Sequence, residues 1–170
     1  MKKIVLFLAF GLLMIGNTVV AQTTTKFGYI DSRELLRAMP EITKADADLQ
    51  TYAKAFQDQL QTMSKEYEKK VQDYQAQEKT MSEAVKEVKQ KEIVDLQNRI
   101  ESTNQSATEK VEKKREELYK PILEKADKAI KDVAKEKGFD YVFDASSGGL
   151  LHVRETDNLL PMVKTKLGIK

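Results

Sequence analysis

The residue types that carry most enzymatic chemistry are scarce in this sequence. It has one histidine, His152, and no cysteine. A zinc site draws on several histidine or cysteine ligands, and an activated nucleophile needs a base beside it. His152 has no second histidine or cysteine to work with, and it stands between Leu151 and Val153 in a stretch that reads as a strand. It is read as an ordinary packed or surface histidine. Asp140 and Asp144 are four residues apart in an alternating segment, so they share one strand face, as a pair of acid/base carboxylates would. A solvated face opposite the aromatic one accounts for them more simply. Ser146-Ser147-Gly148-Gly149 has neither the G-x-S-x-G spacing nor that of a phosphate loop, and reads as a hairpin turn. Lys113-Lys114-Arg115 is the densest basic cluster, but Glu109, Glu112, Glu116 and Glu117 surround it. That is a helix surface laced with ion pairs, not an uncompensated nucleic-acid patch. Asn104-Gln105-Ser106 matches a glycosylation sequon, a tripeptide frequent by chance. The sequence therefore reads as a non-enzyme with no cofactor and no metal.

The elements around these residues are more informative. Between Gly28 and Gly138 there is no glycine, and the only prolines are Pro40 and Pro121. After Pro40, apolar residues recur in steps of three and four: Ile42, Ala45, Leu49, Tyr52, Phe56, Leu60, Met63, Tyr67, Val71 and Tyr74. The stripe is narrow and flanked by charge and glutamine, so it predicts a coiled-coil-like seam. Thr80-Met81-Ser82-Glu83 interrupts it with the spacing of a capping box, which marks a helix start. A second helix follows through Val85, Val88, Ile93, Leu96, Ile100, Ala107, Val111 and Leu118, passes Pro121, and ends at Gly138. Pro40 and Pro121 lie almost equally far from Met81. A hairpin folded at 80–83 sets both prolines at one level, where an arm of residues 41–120 meets its base.

The base has strand-like segments. Phe27–Ile30 reads as one strand, and Asp31 or Ser32 can cap a short helix that ends near Pro40. Phe139 to Ala145 alternates as a half-buried strand, and Leu150 to Arg154 reads as its returning partner. Thr156, Asp157 or Asn158 can cap a last helix, Leu159 to Leu167, with Pro161 in its first turn. The expected fold is α+β and mostly helical, a long antiparallel hairpin on a small β-rich body made of residues 22–40 and 121–170. So small a sheet body is marginal alone and has open edges. An oligomer built through the sheet is expected, with Tyr29, Ile30, Tyr141, Val142, Phe143, Leu151 and Val153 as its candidate contacts.

The chain opens with a secretory signal. Lys2 and Lys3 precede an apolar run, Ile4 to Ile15, and Val19-Val20-Ala21 suits cleavage before Gln22. The run is shorter than the ~20 residues a membrane span requires. No cysteine stands at the cut, so no lipid is attached there. Without Lys2 and Lys3 the 29 basic residues become 27, equal to the 27 acidic ones. A neutral mature chain has no overall pull toward nucleic acid or a membrane surface. Gln22 to Lys26 reads as an unstructured polar lead.

The arm has one thin stretch. From Glu101 to Lys110 its largest apolar residue is Ala107, amid Ser102, Thr103, Asn104, Gln105 and Ser106. Hairpin symmetry sets this stretch against residues 52–61, which include Tyr52, Phe56 and Leu60. Either these pack over small residues or part of their surface stays open. An open surface, extended toward the tip by Met63, Tyr67, Tyr74 and Met81, suits weak contact with unstructured apolar chains.

The signal, the Gly28-Tyr29-Ile30-Asp31 strand and the Lys/Glu/Gln-rich hairpin occur in a definite order. Tyr119-Lys120-Pro121-Ile122, Val133-Ala134-Lys135-Glu136-Lys137-Gly138 and Tyr141-Val142-Phe143-Asp144 follow. Together they resemble the Skp/OmpH family of periplasmic chaperones over essentially the whole mature chain. The resemblance implies a homotrimer with a β-rich body and three helical tentacles. It implies an ATP-independent holdase that shields unfolded outer-membrane proteins between the tentacles. Members of that family are often strongly basic, whereas this mature chain is neutral, which shifts the weight from charge to apolar contact. A periplasmic coiled-coil adaptor with one fixed folded partner is the alternative from another class.

Overall fold

The computed structural model describes residues 24–169. The signal segment and its cleavage site lie outside them. The elements are β1 (Phe27–Ile30), α1 (Ser32–Ala38), α2 (Pro40–Gln77), α3 (Glu83–Lys137), β2 (Tyr141–Asp144) and α4 (Leu160–Lys166).

Local chemistry sets the boundaries. Asp31 caps α1 by accepting a hydrogen bond from the Glu34 N–H at 2.9 Å. Met39, which precedes Pro40, is extended at ψ 120, so α1 stops there and Pro40 opens α2. The chain reverses at residues 78–82, and Thr80 and Met81 donate their N–H groups to the Gln77 carbonyl at 2.9 and 3.2 Å. The expected break is in place, but the capping box is not formed. Ser82 stands at the N-cap with no side-chain cap bond, and the Thr80 hydroxyl instead donates back to the Gln77 carbonyl. The turn that ends α2 has taken the threonine that would have started α3. Helix α3 runs through Pro121 for 55 residues, about 80 Å at 1.5 Å per residue. It ends on Gly138 at φ 68, where Phe139 N–H reaches the Ala134 carbonyl at 2.9 Å.

Helices α2 and α3 form the antiparallel hairpin. Near its root Lys125 pairs with Glu41, and the Tyr119 hydroxyl donates to Asp46. Near its tip Lys70 pairs with Glu92 at 2.9 Å, and Gln90 donates to the Tyr74 hydroxyl at 2.7 Å. These pairs set Pro121 opposite residues between 41 and 46, about one turn along from Pro40.

Strands β1 and β2 pair in parallel, with Phe27 opposite Tyr141 and Ile30 opposite Asp144. Parallel neighbours need a long crossover connection. Here the whole hairpin is that crossover, which brings both of its ends to one sheet. The core lies where the sheet meets the helix roots. Leu35, Met39, Leu159 and Val163 are fully buried, against Ile122, Ala126, Ala129 and Val133 of α3.

The expected returning strand at Leu150–Arg154 is absent, and the described sheet has two strands. Asp144 ends β2 by accepting from Ser146 N–H at 2.9 Å, and a 3-10 turn, Ala145–Ser147, leads the chain away. The far edge of β1 meets Asn158 in an isolated bridge instead, and Leu159 N–H bonds the Tyr29 carbonyl at 2.9 Å. Lys26 is also less free than its polar neighbourhood suggested. Its N–H donates to Asp140 at 2.7 Å, and its ammonium donates to the Lys137 carbonyl at 2.8 Å and lies 4.0 Å from the Phe139 ring centre.

Candidate functional site

Two surfaces collect the residues singled out above. The first is the middle of the arm. Among the described residues, no cross-helix hydrogen bond or ion pair joins residues 47–69 of α2 to α3. This span is held by its apolar seam. Tyr52 and Phe56 are one turn apart and half-buried, and their rings meet edge to face at 5.2 Å. Phe56 and Leu60 border an open groove of about 310 Å³, with Ala53, Ala107 and Val111 among its lining residues. Ala107 is buried at this level. A methyl group opposite a phenyl ring and an isobutyl group leaves the groove unfilled. Both alternatives read from the sequence are thus present: the large side chains pack over a small residue, and part of their surface stays open.

Towards the tip the arrangement changes. Met63 is buried in the seam and offers no surface. Tyr67, Tyr74 and Met81 are half-buried. Met81 lines a small tip pocket with Tyr74 and Ile93, while Val85 and Val88 are exposed on α3. The Lys70 hydrogen bond holds the Glu92 carboxyl below its usual range, and Lys125 does the same for Glu41. The Asp46 carboxylate raises the Tyr119 hydroxyl.

The second surface is the outer face of the sheet. Parallel register aligns Phe27 with Tyr141 and Tyr29 with Phe143 on one side. The Phe27 ring stacks on Tyr141 at 5.5 Å and on Phe143 at 6.0 Å. Yet these three rings remain 51, 58 and 46% exposed. The aromatic side of β2 is therefore its outer side. Tyr29 is half-buried and donates to Glu155 at 3.2 Å. Ile30 is buried in the core and Val142 is half-buried, so the inner face belongs to them. Leu151 is 99% exposed, with Val153 exposed beside it. His152 is exposed and lines an open pocket with Phe27, Tyr29 and Phe143. A wider groove of about 550 Å³ runs between β2 and α3, over Ile130, Ala134 and Val142.

Asp140 and Asp144 are exposed, as the sequence predicts, and they also serve as hydrogen-bond acceptors at the strand ends. Asp140 accepts from Lys26, and Asp144 from the Ser32 N–H at 3.2 Å and the Ser32 hydroxyl at 2.6 Å. Partial burial pushes the Asp144 carboxyl up, but the bonds from Ser32 and Ser146 outweigh it and lower the pKa to about 2. This carboxylate fastens the end of β2 to the start of α1.

The profile of the family described as Outer membrane protein (OmpH-like) matches residues 26–167. The chain belongs to the OmpH-like family. A protein of Photorhabdus laumondii named Chaperone protein Skp is 25% identical over 147 residues, covering 86% of this chain and 88% of its own. An uncharacterized protein of Aquifex aeolicus is 30% identical over 121 residues, covering 71% of this chain and 74% of its own. The crystal structure of an OmpH-like protein from Caulobacter crescentus superposes with a TM-score of 0.73, over 84% of this chain and 83% of that one. At 12% identity that likeness concerns the fold. The mostly helical architecture of this chain, with long helices and a small two-stranded sheet, matches that fold.

Sequence reasoning missed three contributors to these surfaces. Phe27 reads from the sequence only as the start of a strand, although its alternation with Tyr29 carries the signal for a shared face. Lys114 reads from the sequence as part of an ion-paired helix surface and Lys110 only as the end of the thin stretch, yet they lean over Tyr52 and Phe56 respectively. Only the pairing of the two helices brings those residues together.

Proposed function

We propose that this OmpH-like chain is an ATP-independent holdase chaperone of the periplasm. It acts after removal of the signal near Ala21/Gln22, binds unfolded outer-membrane β-barrel proteins between its helical arms, and delivers them for assembly. The observation that carries this reading is the middle of the arm. Its apolar side chains line an open groove along a hairpin that has no further layer over it among the described residues. A promiscuous surface for unstructured chains needs such shallow, repeated apolar contact. Tyr52, Phe56 and Leu60 are the main contacts, with Tyr67, Tyr74 and Met81 towards the tip and Met63 supporting them from within the seam. No enzymatic step belongs to this role.

The arm is residues 41–120, and the body is residues 22–40 with 121–170. The body assembles three copies. Phe27, Tyr141 and Phe143 offer a stacked aromatic face, and among the described residues the outer edge of β2 has no strand beside it and Leu151 projects from a segment in no strand pairing. A neighbouring copy covers all three features at once. Tyr29, Val142 and Val153 flank that contact, and Ile30 supports it from the core.

The test is aggregation of an unfolded β-barrel outer-membrane protein diluted from urea, with the mass of the mature chain measured in solution. The expected result is suppression without ATP, saturating near one trimer for each client. Unchanged aggregation, together with recovery of one folded partner, would favour the coiled-coil adaptor instead.

A further inference from the structure

Two lysines of α3 occupy an unusual position on the arm. The ammonium of Lys110 is 5.7 Å from the Phe56 ring centre, and that of Lys114 is 6.0 Å from that of Tyr52. Both pairs are spaced by one turn on their own helix, so a cation lies over each ring of the edge-to-face pair. Lys110 makes no ion pair among the described residues, and Lys114 makes one long contact, to Glu117 at 3.9 Å. Neighbouring Arg115 is bound to Glu112 at 2.7 Å. Here two positive charges rest on aromatic surface in a helix otherwise rich in carboxylates. A ring face holds an exposed cation weakly, and a carboxylate forms the stronger, charge-assisted bond. The lysine stems are long enough to move aside without disturbing either helix.

We infer that Lys110 and Lys114 set the sequence preference of the arm. They select segments of an unfolded polypeptide in which an aromatic or large aliphatic side chain lies close to Asp or Glu. This rests on the holdase reading and adds a substrate class to it. In the empty arm the ammonium groups cover Tyr52 and Phe56. When an apolar guest side chain takes their place on the rings, they turn to the guest's own carboxylates. The uncovering of the rings and the pairing of the charges are then one event. Because the mature chain is neutral overall, this attraction is local to the arm.

The test uses the mature chain and fluorescent peptides matched in phenylalanine content, carrying either Asp or Asn between the phenylalanines. Fluorescence anisotropy at low salt is expected to show the Phe/Asp peptide bound about threefold to tenfold more tightly, the range two exposed ion pairs support. Molar salt removes the difference. Replacing both lysines (Lys110→Met with Lys114→Met) brings the Phe/Asp-to-Phe/Asn affinity ratio to about one, while Lys110→Arg with Lys114→Arg retains the preference. Circular dichroism checks that each variant keeps its helices. An undiminished preference in the methionine variant overturns the inference. So does a wild type that suppresses client aggregation yet binds both peptides equally. A wild type that neither binds peptide nor suppresses aggregation overturns the holdase reading itself, so the two failures are distinguishable.

Discussion

Gly28 fixes how closely the sheet approaches the last helix, and it offers a quantitative test of the body. A Cβ at this position would lie 2.4 Å from Leu159 Cδ1, and 2.9 and 3.0 Å from Cδ1 and Cε1 of Phe139. Relaxed contacts between carbons are about 3.5–4.0 Å, so the leucine methyl would have to retreat by about 1 Å. Neither neighbour is free to do so, because both are buried in the core. The φ angle of Gly28 is not positive, so backbone strain adds nothing and the whole cost is steric. An added carbon in a packed core typically costs 1–3 kcal/mol. With two core side chains displaced together, Gly28→Ala is expected near the top of that range, about 2–3 kcal/mol. Gly138→Ala is the control. Its Cβ would meet nothing within 4 Å, but its φ of 68 leaves left-handed strain of about 1 kcal/mol. Urea unfolding at one fixed protein concentration compares the two, since assembly adds stability by mass action. The midpoint should fall more for Gly28→Ala, with the slope unchanged. A loss below about 0.5 kcal/mol at Gly28, or a larger loss at Gly138, would refute the assignment of the cost to close packing.

Three further predictions concern the two surfaces and the strand end. Asp144→Asn should cost about 1 kcal/mol, reduced from the full pKa difference because this carboxylate is partly in water. Its pKa lies below that of an unfolded aspartate, so the stabilisation is complete above about pH 4 and is lost as pH falls towards 2. Acid titration of urea stability should show that loss in wild type and not in the variant, and parallel curves would contradict it. Replacing Tyr52, Phe56 and Leu60 together with Ser should weaken client holding by about tenfold or more, since several half-buried apolar contacts disappear, and leave the solution mass unchanged. Equal holding by a correctly folded variant would remove these residues from the site. Leu151→Asp combined with Tyr141→Asp should lower the solution mass to that of a single chain while far-ultraviolet circular dichroism keeps its helical signal. A variant that stays assembled would place the contact elsewhere.

What could be read from the sequence divides along the physical origin of each signal. The hairpin was legible because its evidence repeats over many turns: a narrow apolar stripe, no glycine, and a break near Met81. The ends of the helices were legible where one residue decides them, as with Asp31, Pro40 and Gly138. The strand expected at Leu150–Arg154 does not form, because a five-residue stretch with three apolar side chains carries no information about available partners. Asp144, by drawing Ser146 and Ser32 to itself, turns the chain out of the sheet before a return strand can form. The anchoring bonds of the carboxylates at 140 and 144 are hidden for a related reason: their donors, Lys26 and Ser32, lie more than 100 residues away in sequence. The lysine–aromatic pairs were hidden in the same way, because single-helix periodicity is blind to the opposite helix.

The placement of polar ties explains why the middle of the arm is where a guest would bind. A hairpin of two helices is a single layer, so each helix can bury only the stripe that faces the other. Side chains at the edge of that stripe stay half-exposed however well the pair is packed, and only another chain can cover them. The polar ties lie near the two ends, with Glu41 to Lys125 and Asp46 to Tyr119 at the root, and Lys70 to Glu92 and Tyr74 to Gln90 at the tip. Opening the hairpin there breaks charge-assisted bonds. Around Phe56 it breaks none, because only apolar contact crosses to Ala107 and the two lysines rest on ring faces. The ends hold the helices in register, and the stretch between them can exchange its own loose apolar contacts for those of a guest with the least loss of bonding.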